Sequence, residues 1–199
     1  MAHKVKRIGI FGGSFDPPHI GHLVIAEMAR RSLDLDVVYF VPAYQPPHKE
    51  GSHPSTARDR LAMTRLSIYG NSKLKVSDLE LRRKGISYTV DTVKAFRRRF
   101  PASELFLIIG SDSLRQFHSW KSPGEILAEA SLLVYRRPHS GRTNARLRST
   151  NVSFIKGPQM EISSSDIRKR IQQGKLIRYL VRDNVLSFIQ RKNLYSDPT

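Results

Sequence analysis

Six short apolar, often β-branched runs recur along the 199-residue chain, at 7–11, 36–41, 74–77, 105–110, 131–135 and 152–155. The run Leu105-Phe106-Leu107-Ile108-Ile109-Gly110 is continuous rather than alternating, which marks a parallel strand covered on both faces. Between the runs the spacing turns helical. Residues 22–30 carry apolar positions at helical intervals, 55–69 place Leu61, Met63, Leu66 and Ile68, and 88–100 set Val90, Val93 and Phe96 on one face. Two more helical stretches, 164–173 and 182–192, close the chain, and 196–199 is expected to fray. Residues 79–85 read as a connector, and 136–150, basic and rich in small polar residues, as a flexible loop. Strands alternating with helices predict a parallel sheet with helices on both faces and right-handed crossovers. Ligands of such sheets bind beyond the carboxyl ends of the strands. With no internal repeat and no long linker, residues 1–199 are expected to form one domain.

Charge changes this picture more than composition does. Lys and Arg number 34 against 17 Asp and Glu, a net charge of +17. The basic residues are spread over many short clusters, with no aromatic residues interleaved at the spacing of a single-strand stacking platform. Such a surface attracts polyphosphate, and it leaves nucleic-acid binding open as a side property. The absence of cysteine excludes disulfides, thiol nucleophiles and cysteine-based zinc sites. No apolar run reaches membrane-spanning length and the N-terminus has no signal-like apolar region, so a cytoplasmic enzyme with no membrane partner is expected.

The chemistry gathers around Gly9-Ile10-Phe11-Gly12-Gly13-Ser14-Phe15-Asp16-Pro17-Pro18-His19-Ile20-Gly21-His22. A strand, a glycine turn and a helix start present free backbone N–H groups and a helix dipole, the ordinary means of holding phosphate. Gly12, Gly13, Ser14 and Phe15 supply the turn, and His19 and His22 add donors at the helix start. Gly21 between them is expected to keep a side chain out of the ligand's way. A second helix start, Ile162-Ser163-Ser164-Ser165-Asp166-Ile167-Arg168, fits a capping box between Ser163 and Asp166, and Ser164, Ser165 and Arg168 suit phosphate as well. Gly110 and Asp112 follow the clearest strand, where a carboxylate can bind a ribose hydroxyl. Thr89 sits where an ordinary N-cap would, and Trp120 is the single tryptophan.

The run G-G-S-F-D-P-P-H-x-G-H-L resembles that of the bacterial nicotinate-nucleotide adenylyltransferases. Pro46-Pro47-His48-Lys49, Ser87-Tyr88-Thr89-Val90-Asp91-Thr92 and Ile162-Ser163-Ser164-Ser165-Asp166-Ile167-Arg168 resemble further stretches of that family, so the likeness covers residues 7–195. It implies a Rossmann-like, doubly wound parallel sheet with a small C-terminal helical part. It also implies transfer of AMP from ATP to nicotinic acid mononucleotide, giving deamido-NAD and pyrophosphate. In that resemblance His19 and His22 are catalytic, and Gly12, Gly13, Ser14, Phe15, Gly21, Gly110, Asp112, Ser164, Ser165 and Arg168 bind ATP. Lys49, Tyr88, Thr89 and Trp120 bind the acceptor, Thr89 on the pyridine carboxylate and Trp120 stacked on the ring. Mg2+ is the implied cofactor, held mainly by phosphate oxygens. Three alternatives stand beside this reading. Phosphopantetheine adenylyltransferase shares H-x-G-H but lacks the 46–49 and 87–92 stretches. A class I aminoacyl-tRNA synthetase would carry a K-M-S-K-S-like loop, and a basic nucleic-acid-binding protein on the same fold would use the charge. Oligomeric state and the strictness of acid over amide preference carry no mark in the sequence.

Overall fold

Each of the six apolar runs forms a strand: β1 (Arg7–Gly13), β2 (Val37–Pro42), β3 (Leu74–Val76), β4 (Glu104–Gly110), β5 (Ser131–Tyr135) and β6 (Val152–Ile155). The computed structural model describes residues 5–47, 54–136, 151–158 and 160–196. All neighbouring strands pair in parallel, in the order β3-β2-β1-β4-β5-β6. The helices are α1 (Ile20–Ser32), α2 (Ala57–Ile68), α3 (Leu79–Arg83), α4 (Thr89–Arg99), α5 (Ser111–Gln116), α6 (Pro123–Glu129), α7 (Ser164–Gln172) and α8 (Asp183–Arg191). The parallel sheet expected from the pattern is therefore present, in the doubly wound, Rossmann-like form implied by the resemblance.

Period-two geometry divides each strand between two cores. Ile8, Ile10, Tyr39, Leu107 and Val134 meet Val90, Val93 and Phe96 of α4, with Leu114 of α5 and Ile126 of α6. Phe11, Val38, Phe40, Ile108 and Leu133 face the other way, onto Ile25, Ala26 and Ala29 of α1. Each such fully buried Ile or Phe contributes about 1.5–3 kcal/mol. Gly9 lies in the second layer, where a Cβ would come within 3.0 Å of both Leu35 and Val38. A third cluster joins Met63 of α2 to Ile167 of α7, to Val185, Phe188 and Ile189 of α8, and to Tyr195, which makes the C-terminal helical part.

Three stretches differ from the sequence reading. The connector at 79–85 contains α3, five residues long and too short for periodicity to reveal. Residues 111–129, given no element from sequence, form α5, a 3₁₀ turn (Phe117–Ser119) and α6. Ser122, the N-cap of α6, takes a left-handed φ of 50°, and Pro123 starts that helix. In α2 the buried face holds Arg60, Thr64 and Ser67 beside Met63 and Ile68, so apolar spacing there identified only part of the inward side. Of the loop expected at 136–150, residues 137–150 lie outside the described residues, as do 197–199 of the tail.

Candidate active site

β1 and β4 are neighbours, paired from Arg7 with Glu104 to Phe11 with Ile108. The chain leaving β1 enters α1 on one face of the sheet, and the chain leaving β4 enters α5 on the other. Such a switch point opens a crevice beyond the carboxyl ends of both strands. The motif after β1 and the Gly110–Asp112 segment after β4 form its two sides.

His19 is the N-cap of α1, 6% exposed, and His22 occupies the third helical position. The His19 amide donates to His22 Nδ1 at 3.1 Å. A ring nitrogen that accepts carries no proton, so the neutral His22 ring bears its proton on Nε2. The two rings stack with centroids 3.7 Å apart and planes at 31°, and the Phe15 ring meets His22 edge-on at 5.0 Å. Imidazole donors, the Gly21 amide and the dipole of α1 thus share one end of the helix. The Ile20 amide donates to the Leu180 carbonyl at 2.8 Å and the His22 amide to the His19 carbonyl at 2.9 Å.

The glycines act differently from one another. A Cβ on Gly21 would lie 3.0 Å from His19 Nδ1 and 3.1 Å from Cε1. Gly21 therefore makes room for the His19 ring, where the sequence suggested that it makes room for ligand. Gly13 does the same for the Phe15 ring, 3.1 Å away, while a Cβ on Gly12 would meet nothing within 4 Å among the described residues beyond its chain neighbours. Phe15 has a left-handed φ of 50° and its side chain is buried, so only its main chain is placed to serve the turn.

The second helix start folds directly onto the first motif. Ser164 Oγ donates to the Pro17 carbonyl at 2.8 Å, and Arg168 Nη1 donates to the Asp16 carbonyl at 2.8 Å. Arg168 Nη2 also reaches Ser165 Oγ at 3.3 Å. Of the expected capping box the N-cap half is present, Ser163 Oγ accepting from the Asp166 amide at 3.1 Å, while the Asp166 carboxylate accepts from the Ser163 hydroxyl at 2.6 Å. Asp16 and Pro17, joined by a cis peptide, are held from the side-chain direction too. The Asp16 carboxylate accepts from Ser55 Oγ and, at 2.6 Å, from the Tyr195 hydroxyl. Burial, reinforced by that carboxylate, pushes the Tyr195 phenol far above its usual range.

The segments 44–45 and 86–87, next to the two stretches expected to bind the acceptor, are zipped together. The Tyr44 amide donates to Ser87 Oγ at 2.9 Å, the Ser87 amide to the Gln45 carbonyl at 2.8 Å, and Gln45 bridges to Ile86. The N-cap of α4 is Tyr88, one residue before Thr89, so Thr89 is the first helical residue and does not cap it. Trp120 packs on Phe117 with centroids 5.3 Å apart, and Lys121 Nζ lies 4.2 Å from the Tyr88 ring centre. That contact brings the starts of α4 and α6 together. Asp112 stands half-buried in the first turn of α5, next to Gly110. Lys49 lies outside the described residues.

Sequence reasoning did not single out Arg60, Ser55, Tyr195 or Lys121. No motif carries them; the one available signal was a charged Arg60 on the same helical face as Met63. Part of the basic charge lies elsewhere, in a surface groove of about 490 Å³ lined by Arg82, Arg83, Lys94 and Arg98. Two of those cations are matched, Arg82 by Asp78 and Lys94 by Glu125.

The strand order is that of doubly wound nucleotide-binding sheets, and the Cytidylyltransferase-like family model, which matches residues 10–170, makes the chain a nucleotidyltransferase. A relative from Salinibacter ruber, named probable nicotinate-nucleotide adenylyltransferase, is 41% identical over 94% of this chain and 97% of its own length. One of the same name from Shouchella clausii is 39% identical over 97% and 98%. The chain belongs to the nicotinate-nucleotide adenylyltransferase family. The Plasmodium falciparum nicotinic acid mononucleotide adenylyltransferase complexed with NaAD has the same fold, with a TM-score of 0.81 at 23% identity, covering 96% of this chain and 97% of that one. Among the described residues no helix is long and apolar enough to cross a membrane.

Proposed function

We propose that this protein, acting through one domain over 1–199, transfers the adenylyl group of ATP to nicotinic acid mononucleotide, yielding deamido-NAD and pyrophosphate. The observation that carries the reading is the His19–His22 pair at the start of α1, with the His22 proton fixed on Nε2 by the His19 amide. An acceptor phosphate oxygen attacks the α-phosphorus, the bond from that phosphorus to the α,β-bridging oxygen breaks, and pyrophosphate leaves with the electron pair. No covalent enzyme intermediate is needed. The work left to the protein is alignment and neutralisation of charge on phosphate oxygens.

In this reading His22 Nε2 and His19 donate to the triphosphate, and the amides of Gly12, Gly13, Ser14, Phe15 and Gly21 complete the cradle. Ser164, Ser165 and Arg168 approach the outer phosphates from α7 while fixing the Asp16–Pro17 segment. Gly110 and Asp112 take the ribose. Tyr88, Thr89, Trp120 and Lys49 take the acceptor, whose flat ring suits an aromatic face. Among the described residues no group of three or more His, Asp or Glu forms a metal cage. A Mg2+ held mainly by phosphate oxygens and water, as the resemblance implies, would neutralise charge on the triphosphate.

Pyrophosphate release from Mg-ATP, measured in parallel with nicotinic acid mononucleotide, its amide analogue and phosphopantetheine, tests the proposal. Release with the first alone is the expected result. Release with phosphopantetheine alone transfers the reading to the sister activity, and silence with all three removes it. Strong, steeply salt-dependent binding of polynucleotide without turnover would instead favour nucleic acid as the ligand of the basic surface.

A further inference from the structure

Arg60 is the largest fully buried side chain of the described residues, 1% exposed, on the inward face of α2. Burying a guanidinium is costly unless its donors are used. The Nη donors of Arg60 go to main-chain carbonyls rather than to a carboxylate, and its buried Nε has no partner among the described residues. Nη1 donates to Ser14 at 3.0 Å and to Ala43 at 2.5 Å, and Nη2 donates to Tyr44 at 3.0 Å. One rigid fork therefore ties the turn after β1 to the loop after β2, the two loops on which the proposed phosphate and acceptor sites stand.

The Ser14 contact has a directional consequence. Asp16–Pro17 is the only cis peptide among the described residues, so the Ser14–Phe15 peptide is trans. In a planar trans peptide the C=O and the following N–H point in opposite directions. Drawing the Ser14 oxygen inward onto Arg60 turns the Phe15 N–H outward. Phe15 belongs to no strand or helix, and its amide has no hydrogen-bond partner among the described residues. Its φ of 50° holds the ring inward, in contact with Phe11, Phe40 and His22, while the amide faces out.

We infer that Arg60 is a positioning residue of the reaction: it sets the Ser14–Phe15 peptide plane so that the Phe15 amide donates to a substrate phosphate oxygen, and it locks that turn to the acceptor loop. The inference rests on the adenylyl-transfer reading and adds a residue that touches no substrate. A neutral side chain of equal volume could fill the space, but it could not hold three carbonyls at once. Lysine keeps the charge and loses the fork.

The experiment is amide NMR of 15N-phenylalanine-labelled protein, titrated with pyrophosphate and with Mg-ATP, beside steady-state kinetics. In the wild type the Phe15 amide proton moves downfield on either ligand. In Arg60→Lys that response shrinks severalfold while Phe106 of β4 keeps its shift, kcat falls at least tenfold, and KM for the acceptor rises more than KM for ATP. Guanidinium added to Arg60→Ala restores part of kcat. A merely structural role would lower Tm without separating the two KM values or silencing one amide. The inference is overturned by a full Phe15 response in folded Arg60→Lys, or by a wild-type Phe15 amide indifferent to both ligands, a result that needs no variant. Wild-type turnover of nicotinic acid mononucleotide separates the two failures. An active wild type with either contrary result sinks the role of Arg60 alone, and an inert one sinks the adenylyl-transfer reading.

Discussion

Gly21→Ala separates catalysis from stability at one methyl group. The added Cβ would lie 3.0 Å from His19 Nδ1 and 3.1 Å from Cε1, against an ordinary contact of about 3.5 Å. The imidazole must therefore retreat by about half an ångström or rotate off its stack on His22. If a 1 Å misplacement costs about a hundredfold in rate, half of that costs about tenfold. Stability is expected to change little. Alanine is favoured over glycine in a helix by up to about 1 kcal/mol, which offsets much of an overpacking cost of about 1–3 kcal/mol. For a chain of this size the remainder corresponds to a Tm loss of no more than about 8 °C. The assay is pyrophosphate release at saturating ATP and nicotinic acid mononucleotide, with Tm measured on the same sample. A variant with wild-type kcat would refute the claim that His19 acts from the position the structure gives it. A variant that no longer folds would show that the backbone of α1 does not tolerate the residue, against its helical conformation here.

The remaining predictions use neighbouring contrasts. Gly12→Ala meets nothing within 4 Å among the described residues beyond its chain neighbours; Tm should hold or rise while KM for ATP increases, and an unchanged KM would place the phosphates elsewhere. Ser163→Ala removes a cap and should lower stability by about 1 kcal/mol with kcat near normal. Ser164→Ala removes the anchor on the Pro17 carbonyl and should lower kcat with the smaller change in Tm; the reverse ranking would contradict the division between capping and positioning. Hydrogen bonds from Arg30, supported by Arg31, hold the Glu27 carboxyl at about 2, below its ordinary 4.5. A depressed folded-state pKa stabilises above the unfolded value and ceases to do so as pH falls through the folded one. The urea-midpoint gap between wild type and Glu27→Gln, under about 1 kcal/mol for so exposed a cluster, should be full at pH 6 and close between pH 4.5 and 2. A gap that persists at pH 2 would assign the effect to packing.

The sheet was legible in the chain because its strands are buried on both faces, and burial writes itself as continuous apolar runs such as 105–110. The helix starts at His19 and Ser163 were legible for a related reason: capping and phosphate binding both need particular residues at fixed local spacing. What the sequence could not express were relations between distant residues. Nothing in Gly21 says whether its missing side chain spares a ligand or the ring of His19. Ser164 and Arg168 look like phosphate ligands in their own helix, and only folding puts the carbonyls of Pro17 and Asp16 in their path. Arg60, Ser55 and Tyr195 carry no local pattern, because a buried polar group is defined by partners as much as 179 residues away, as Tyr195 is by Asp16. Local propensity and periodicity act over a few residues and fix the elements and the phosphate-handling motifs. The orientation of a peptide plane, the tautomer of His22 and the joining of the 44–45 and 86–87 segments are decided by hydrogen bonds that exist only once the strands have brought their loops to one edge.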